Sequence, residues 1–381
     1  MPNSGEAQNG KPNVLVVVQL SGGNDFMNTV VPYTNPLYHD FRKTTGIAED
    51  KALPIDDAYG FHPAMGQFKQ LWDEGNVAII AGIGYPNPNR SHFRSMDIWH
   101  TCDPDKVATE GWLGRAVRDM DPGKENVLTG VSFGAGLPRA LAVPGVPVTS
   151  VAQLETYGLL TDVAGEEQRN TALEVFSQMY APAIGSSLVN TYIRQTGLDA
   201  MKGADTIRVA PAMYSSTIEY AQNPIAQSLK SAAQVHLANL GTRVLYTSLG
   251  GFDVHANEVP AMEKLWTDVS GAIYDFFSDL REHNASEEVT MLVFTEFGRR
   301  IRDNGSGCDH GSGGGAFVIG DRVKGGMYSE YPSLDPNQQL DGDLRFNYDY
   351  RGLYSSLLDQ WLGLDPVSIV DGAYEQLHFF N

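Results

Sequence analysis

The sequence predicts an α/β protein with a mostly parallel central sheet that is covered on both faces. The runs Asn13–Leu20 and Val289–Thr295 are apolar and rich in β-branched residues, which is typical of central strands buried on both sides. The segment Met262–Leu280 has large apolar side chains at helical spacing and leads into the second of these runs. A strand–helix–strand unit of this kind is expected to be right-handed with parallel strands.

Other predicted elements continue the alternation. Further strands are predicted at Val77–Ala81, Asn126–Phe133, Thr242–Leu249 and Ala316–Ile319. Helices are predicted after His62, after Ser91 and over Gly111–Met120, Ala172–Tyr180, Ile225–Leu240 and Tyr348–Leu362. In the helix after Ser91, apolar contacts are expected from Phe93, Met96, Ile98 and Trp99.

The domain organisation is predicted as one domain over residues 1–381 that contains an insertion. Residues 149–240 are mainly helical in pattern and lack a strong site motif, which favours a helical cap within the domain. Tyr33–Tyr59 is polar and predicts irregular surface loops.

The composition narrows the range of partners. A chain of 381 residues with 42% hydrophobic residues can bury a large core. The net charge of −19 argues against nucleic acid and anionic membranes as partners, so an anionic substrate would need local positive charge. No apolar run is long enough to span a bilayer, and the first dozen residues lack the apolar core of an export signal. Cys102 and Cys308 either pair or remain free thiols.

Polar residues follow the predicted strands at the point where each strand ends. They are Asp25, Asp253, His255, Glu296 and Arg299, with Asp309 and His310 in a glycine-rich loop. Ligands of open α/β sheets bind outside the carboxyl ends of the strands. Carboxylate oxygens and imidazole nitrogens suit zinc, manganese and related divalent ions. The alternative is that Asp309 and His310 only cap turns, or hold a single calcium ion.

A fourth strand end leads to a predicted helix start at Ser91. A serine in this position is most often an N-cap, but the exposed amides and the helix dipole there also favour an anion. Arg90 and His92 beside it make an anion site more plausible. We therefore expect one or two divalent ions, with Ser91 as nucleophile or substrate-positioning hydroxyl. Arg90 and Arg299 would clamp the anion.

Several motifs together resemble a bacterial family of unknown function, domain-of-unknown-function family 1501. These are LSGGND, NRSHF, GWLGR, GFDVHANE, TEFGRR and CDHGSGGGAFVIG with VKGG, and they span nearly the whole chain. The family looks related to the alkaline phosphatase and sulfatase superfamily, which implies a three-layer α/β/α sandwich. The stretch HPAMGQFKQLWDEGNVAIIAGI followed by PNR resembles the sulfatase segment that leads to a Pro-Ser-Arg nucleophile motif.

The sequence departs from the superfamily at three points. Glu296-Phe297-Gly298 stands where those hydrolases have Asp-His-Gly, and the Asp253-x-His255 spacing is shorter than usual. The sulfatase nucleophile would fall on Pro86, which leaves Ser91 as the candidate by proximity.

The resemblance implies a metal-dependent hydrolase or transferase acting on phosphate or sulfate esters, including esters of extracellular carbohydrates. Its substrate would be a small-molecule or saccharide anionic ester. The catalytic set would comprise Ser91, Arg90, His92, Glu296 and Arg299, and the metal set Asp25, Asp253, His255, Glu296, Asp309 and His310. The alternative is a catalytically degenerate protein that binds a ligand or glycan. Family members often carry a twin-arginine export signal, which implies a periplasmic or extracellular location, with a cytoplasmic one as the alternative.

Overall fold

The computed structural model describes residues 10–154 and 206–380, together with positions 167, 168, 171, 172, 174, 175, 199, 203 and 204. The strands are β1 (Val14–Leu20), β2 (Val30–Val31), β3 (Leu53–Pro54), β4 (Gly60–Phe61), β5 (Val77–Gly84), β6 (Gly130–Phe133), β7 (Thr149–Val151), β8 (Val244–Leu249), β9 (Val289–Phe294), β10 (Gly314–Ile319), β11 (Gly326–Met327) and β12 (Tyr348–Asp349).

One large mixed sheet organises the molecule. Its order is β11-β5-β10-β9-β1-β8-β6-β7, with β12 pairing to β5 beside this path. The neighbours β9, β1, β8, β6 and β7 are parallel, whereas β10 is antiparallel to both β5 and β9. Because β10 is reversed relative to both neighbours, β5 runs in the same direction as β9. The prediction of a mostly parallel sheet is confirmed.

Helices cover both faces of this sheet. They are α1 (Phe26–Thr29), α2 (Pro36–Phe41), α3 (Gly66–Asp73), α4 (His92–Thr101), α5 (Trp112–Met120), α6 (Val209–Met213), α7 (Pro224–Leu237), α8 (Glu258–Glu282), α9 (Tyr350–Ser356) and α10 (Pro366–Val370). A π-helical turn, Leu357–Leu362, continues α9, and Arg139–Leu141 is a 3-10 turn.

Strand β1 shows why the protein has three layers. Val16 and Val18 belong to the core under α3, α7 and α8, whereas Leu15 and Val17 belong to the core under α4, α5, α9 and α10. All four side chains are completely buried. Burial of each of these side chains stabilises the fold by roughly 1.5–3 kcal/mol relative to leaving it exposed. Because β1 is buried on both faces, it packs against both helical layers and holds them together. The predicted α/β/α sandwich is confirmed.

The predicted insertion over residues 149–240 has both of its ends in the main domain. Residues 149–151 form the edge strand β7, and α7 packs against α8 and β8. Most of the segment between them, including the predicted helix Ala172–Tyr180, lies outside the described residues, so the helical cap stays a prediction.

Two sequence-based alternatives can be compared with the structure directly. Cys102 and Cys308 are both buried free thiols. Within the described residues, no helix has the length and apolar character needed to cross a membrane.

Candidate metal centre

Four loops meet at one edge of the sheet because the strands that precede them run in the same direction. They follow Leu20 of β1, Gly84 of β5, Leu249 of β8 and Phe294 of β9. This is the edge at which α/β proteins bind ligands. Asp253 and Glu296 follow the ends of β8 and β9 closely, whereas Asp309 and His310 lie further along the connection between β9 and β10.

The two arms of the long connection between β9 and β10 pair with each other through backbone hydrogen bonds. Gly298 N donates to Ser312 O at 3.0 Å, Gly311 N donates to Gly298 O at 2.8 Å, and Arg300 N donates to Asp309 O at 2.9 Å. A Cβ added at Gly298 would lie within 3.0 Å of the Gly313 backbone. Glycine is therefore required here for close approach of the two backbone segments.

A Gly298→Ala substitution should lower the free energy of unfolding by about 1–3 kcal/mol, because the added methyl group has no room between two backbone segments. Urea unfolding measures this. Gly66→Ala is the control, since its added Cβ would meet nothing within 4 Å. Equal stability of both variants would contradict the packing described here.

Three histidine rings converge on one carboxylate oxygen. The Oδ1 atom of Asp253 lies 3.0 Å from His255 Nε2, 3.1 Å from His310 Nε2 and 3.4 Å from His92 Nε2. The Nε2 atoms of His255 and His310 are only 2.9 Å apart. His92, Asp253 and His310 offer ligand atoms that all lie within 4.8 Å of one another. His255 contacts two members of this group, Asp253 and His310, through its Nε2 atom.

The other nitrogen of each ring has a partner of its own. The Nδ1 contacts are His92 with Glu296 Oε1 at 2.9 Å, His255 with Asp309 Oδ1 at 3.0 Å, and His310 with the Arg90 carbonyl at 2.7 Å. A carbonyl oxygen and a carboxylate oxygen only accept hydrogen bonds, so each Nδ1 carries the proton. A ring that is neutral with its proton on Nδ1 has an Nε2 lone pair available to a cation at the centre of the cluster.

This arrangement fits a divalent cation. Three Nε2 atoms and a carboxylate oxygen lie within hydrogen-bond distance of one another, so the cluster is stabilised by positive charge among them, from a bound cation or from protons on the rings. His92 Nε2 is also buried and has no hydrogen-bond partner. Metal-binding histidines commonly donate their second N–H to a carboxylate or a backbone carbonyl, as all three do here. Imidazole ligands favour zinc or manganese over calcium, which prefers an all-oxygen shell.

Asp253 is held in its ionised form. Although desolvation opposes it, hydrogen bonds from Arg299 and His310 lower the pKa of Asp253 to about 2. The Arg299 guanidinium is fully buried and also donates to the carbonyls of Gly22, Gly23, Phe252 and Cys308. Arg299 therefore ties three loops together and orients Asp253, and its donors point at protein atoms.

The partners of the histidines are fixed in turn. Glu296 is buried and accepts hydrogen bonds from Gly22 N at 2.9 Å and from Thr295 Oγ1 at 3.1 Å. Hydrogen bonds from His255 and from Asn304, at 3.2 Å, lower the pKa of Asp309. Asn304 was not singled out from the sequence, because an asparagine in a glycine-rich loop has the pattern of an ordinary turn.

Ser91 and Arg90 lie at the rim of the cluster. Ser91 is exposed, occupies the N-cap of α4 and makes no side-chain capping bond. The Arg90 guanidinium donates to Asp343 Oδ2, from Nη2 at 2.6 Å and from Nε at 2.9 Å. Arg90 thus contributes its carbonyl to His310, while its charge is paired with Asp343.

Asp25 does not join the histidine cluster. It caps α1 through Met27 N and forms a buried bidentate ion pair with Arg42. The structure groups it instead with Glu258 and Cys308, all three buried. The guanidinium of Arg42 also lies 3.7 Å from Glu258, so this acidic group already contains a cation.

The buried acid pair makes stability depend on pH. Desolvation and the neighbouring Asp25 carboxylate raise the pKa of Glu258 from 4.5 to about 9, so folded protein keeps a proton that the unfolded chain loses. The free energy of unfolding should fall between pH 4.5 and pH 9, by up to about 1.4 kcal/mol per pH unit. Glu258→Gln should flatten this slope in urea unfolding. An unchanged slope would show that Glu258 does not carry the proton.

The fold and the cluster together define an α/β/α protein with a candidate metal centre at the carboxyl edge of its sheet. Residues 12–342 match the family described as a protein of unknown function (DUF1501), so the chain belongs to that family. The resemblance read from its motifs is confirmed. No curated protein matches the chain.

Several solved structures resemble the chain at low identity. A protein in the alkaline phosphatase superfamily from Vibrio parahaemolyticus has a TM-score of 0.45 at 9% identity, over 97% of this chain and 69% of that one. The C-terminal periplasmic domain of EcEptC from Escherichia coli, in complex with Zn, has a TM-score of 0.43 at 10% identity, over 99% and 92%. The lipoteichoic acid synthase LtaP from Listeria monocytogenes has 0.38 at 7% identity, over 93% and 72%. Likenesses this weak indicate neither the metal nor the substrate of this chain.

Proposed function

We propose that this protein is a metal-dependent enzyme that hydrolyses or transfers phosphate or sulfate esters. The observation that carries the proposal is the convergence of three Nε2 atoms on the Asp253 carboxylate, with every Nδ1 already engaged. Such a set fits a divalent cation, and zinc and manganese suit its nitrogen and oxygen donors.

The residues divide into those that would hold the ion and those that would orient them. Asp253, His92 and His310 would be ligands, with His255 as a further ligand on one side. Glu296 and Asp309 fix the rings of His92 and His255 from behind. A bound divalent ion supplies Lewis-acid polarisation of an ester oxygen. The formal charge of the cluster favours binding of this ion. The three carboxylates outnumber the single guanidinium by two negative charges: they belong to Asp253, Asp309 and Glu296, and the guanidinium belongs to Arg299.

Ser91 is the candidate nucleophile or substrate-positioning hydroxyl. It is exposed, precedes the ligand His92 directly, and lies at the N-terminus of the ten-residue helix α4. Backbone amides and the helix dipole at this point favour an anionic phosphoryl or sulfuryl group. The two arginines act differently from a substrate clamp: Arg299 orients Asp253, and Arg90 is paired with Asp343.

The test combines metal content with activity. Purified protein should contain about one zinc or manganese ion per chain and should cleave an aryl phosphate or an aryl sulfate. Ser91→Ala should retain the metal and lose at least about 100-fold in kcat, since removal of a nucleophile acts on the chemical step. Ser368→Ala serves as the control, because Ser368 is also an exposed serine near the start of a helix, here α10. Metal-loaded protein that cleaves neither ester would contradict the enzymatic proposal.

A second candidate function is a catalytically degenerate protein that binds an anionic ligand or glycan. It is favoured because Arg90 and Arg299, the two arginines predicted to hold the anion, are both hydrogen-bonded to carboxylates of the protein itself. Neither guanidinium is therefore free to bind a substrate anion. Saturable glycan binding, together with inactivity towards aryl phosphates and sulfates, would distinguish it from the enzyme. A location outside the cytoplasm stays a prediction from the family resemblance, and cell fractionation tests it.

A further inference from the structure

Phe93 is the most exposed large apolar side chain in the described part of the protein. It is 91% exposed, although apolar contacts were expected from it as from Ile98 and Trp99, and that prediction is wrong for Phe93. The other exposed apolar side chains are smaller or unbranched, with exposures between 42% and 69%: Val107, Leu137, Val175, Val209, Met213, Val259 and Val367. Single exposed aliphatic residues are normal on a protein surface. A phenyl ring with almost no contacts is a different case.

Phe93 lies next to the candidate metal centre along the chain. It directly follows His92 in the first turn of α4, and Ser91 on the other side of His92 is exposed. The site itself is open, since the side chains of His92 and Asp253 are 30% and 47% exposed. Phe297 packs against the histidine rings from the protein interior. It is 3% exposed, and its ring centroid lies 4.9 Å from those of both His92 and His310. Phe93 is therefore not used to pack the cluster.

The surface beside Phe93 is polar. One helical turn further along the same face, Asp97 forms ion pairs with Arg94, at 2.6 Å, and with Arg139. The apolar area in this direction is thus about one ring wide. An area of this size suits one ring of a small ligand and is far below what a stable protein interface buries.

We propose that Phe93 is a specificity-determining residue that stacks against a ring in the substrate, next to the ester group held at the metal centre. The substrate class is then a phosphate or sulfate ester of a ring-bearing alcohol, either a phenol or a sugar. Aromatic rings offer large, rigid contact area at a low cost in conformational entropy. This inference rests on the proposed function for the position of the ester group.

Binding of two phosphonates tests the proposal without turnover. Zinc-loaded wild-type protein should bind phenylphosphonate about threefold to tenfold more tightly than methylphosphonate in calorimetric titrations, as expected for one aromatic contact. Phe93→Ala should abolish this preference and leave methylphosphonate affinity unchanged. Phe93→Tyr should retain the preference. Met213→Ala, which truncates an exposed side chain on α6, is the matched control and should behave as wild type.

The outcomes separate this inference from the proposed function. If wild type and Phe93→Ala prefer phenylphosphonate equally, or if wild type binds neither phosphonate, the stacking role is overturned. If the preference is lost in Phe93→Ala while wild type cleaves no ester, Phe93 still recognises rings and the enzymatic proposal fails alone. Sedimentation velocity completes the test: a change of oligomeric state in Phe93→Ala would overturn the inference in favour of contact with a second copy.

Discussion

Replacing Asp253 with alanine should leave the protein unable to retain a divalent ion. The Oδ1 atom of Asp253 is the one atom that all three histidine Nε2 atoms approach, and Arg299 holds it ionised. Removal of the carboxylate takes away both a ligand and the negative charge that compensates the ion. The metal affinity should fall by about 100-fold or more, beyond the 10–100-fold typical of losing a group that only orients a ligand. Chelator competition followed by elemental analysis measures the affinity.

Two further variants make the Asp253 experiment specific. Glu296→Gln keeps the shape of the side chain that contacts His92 Nδ1 and should weaken metal binding by about 10–100-fold. Asp57→Ala removes an exposed carboxylate far from the histidines in sequence and should bind metal as wild type does. Equal metal content in all three variants would mean that the cluster is held together by protons and not by a metal ion.

Replacing Arg42 with alanine should lower the free energy of unfolding by about 3–5 kcal/mol, because it leaves a buried carboxylate without its counter-charge. Arg42 and Asp25 are both fully buried, and Arg42 also donates to the carbonyls of Arg300 and Ile301 in the connection after β9. Urea unfolding measures the loss.

The control for Arg42 is an exposed arginine. Arg345→Ala should change the free energy of unfolding by no more than about 0.5 kcal/mol. The double variant Asp25→Asn with Arg42→Met should recover part of the loss, since neither partner then carries an uncompensated charge. A loss below about 1 kcal/mol for Arg42→Ala would show that Asp25 is protonated in the folded protein.

The sequence predicted the sheet well because burial on both faces leaves a direct trace in each strand. The run Asn13–Leu20 corresponds to β1, and Thr242–Leu249 corresponds to β8, with differences of only one or two residues at their starts. The predicted helix Met262–Leu280 is longer in the structure and begins at Glu258. Strand ends then gave the correct neighbourhood for Asp253, His255, Asp309 and His310, because parallel strands deliver their carboxyl ends to one edge.

The finer arrangement depends on contacts between residues far apart in the chain. Asp25 follows a buried strand like the other acids, but Arg42 from a segment predicted to be irregular pairs with it. His92 was expected to act on substrate, whereas its ring faces Asp253 because Glu296, 204 residues away, accepts from its Nδ1. Neither pairing has a local sequence signal. The exposure of Phe93 was missed because Ile98 and Trp99, five and six residues further on, lie on a different face of the helix.

The outer strands of the large sheet bear on how the protein behaves at high concentration. Within the described residues the sheet ends on one side with β7, three residues long, and on the other with β11, two residues long. Short outer strands expose few unpaired backbone groups, so they offer a poor template for recruiting another chain into an intermolecular sheet. The net charge of −19 adds mutual repulsion between molecules. The short outer strands and the net negative charge therefore both oppose aggregation.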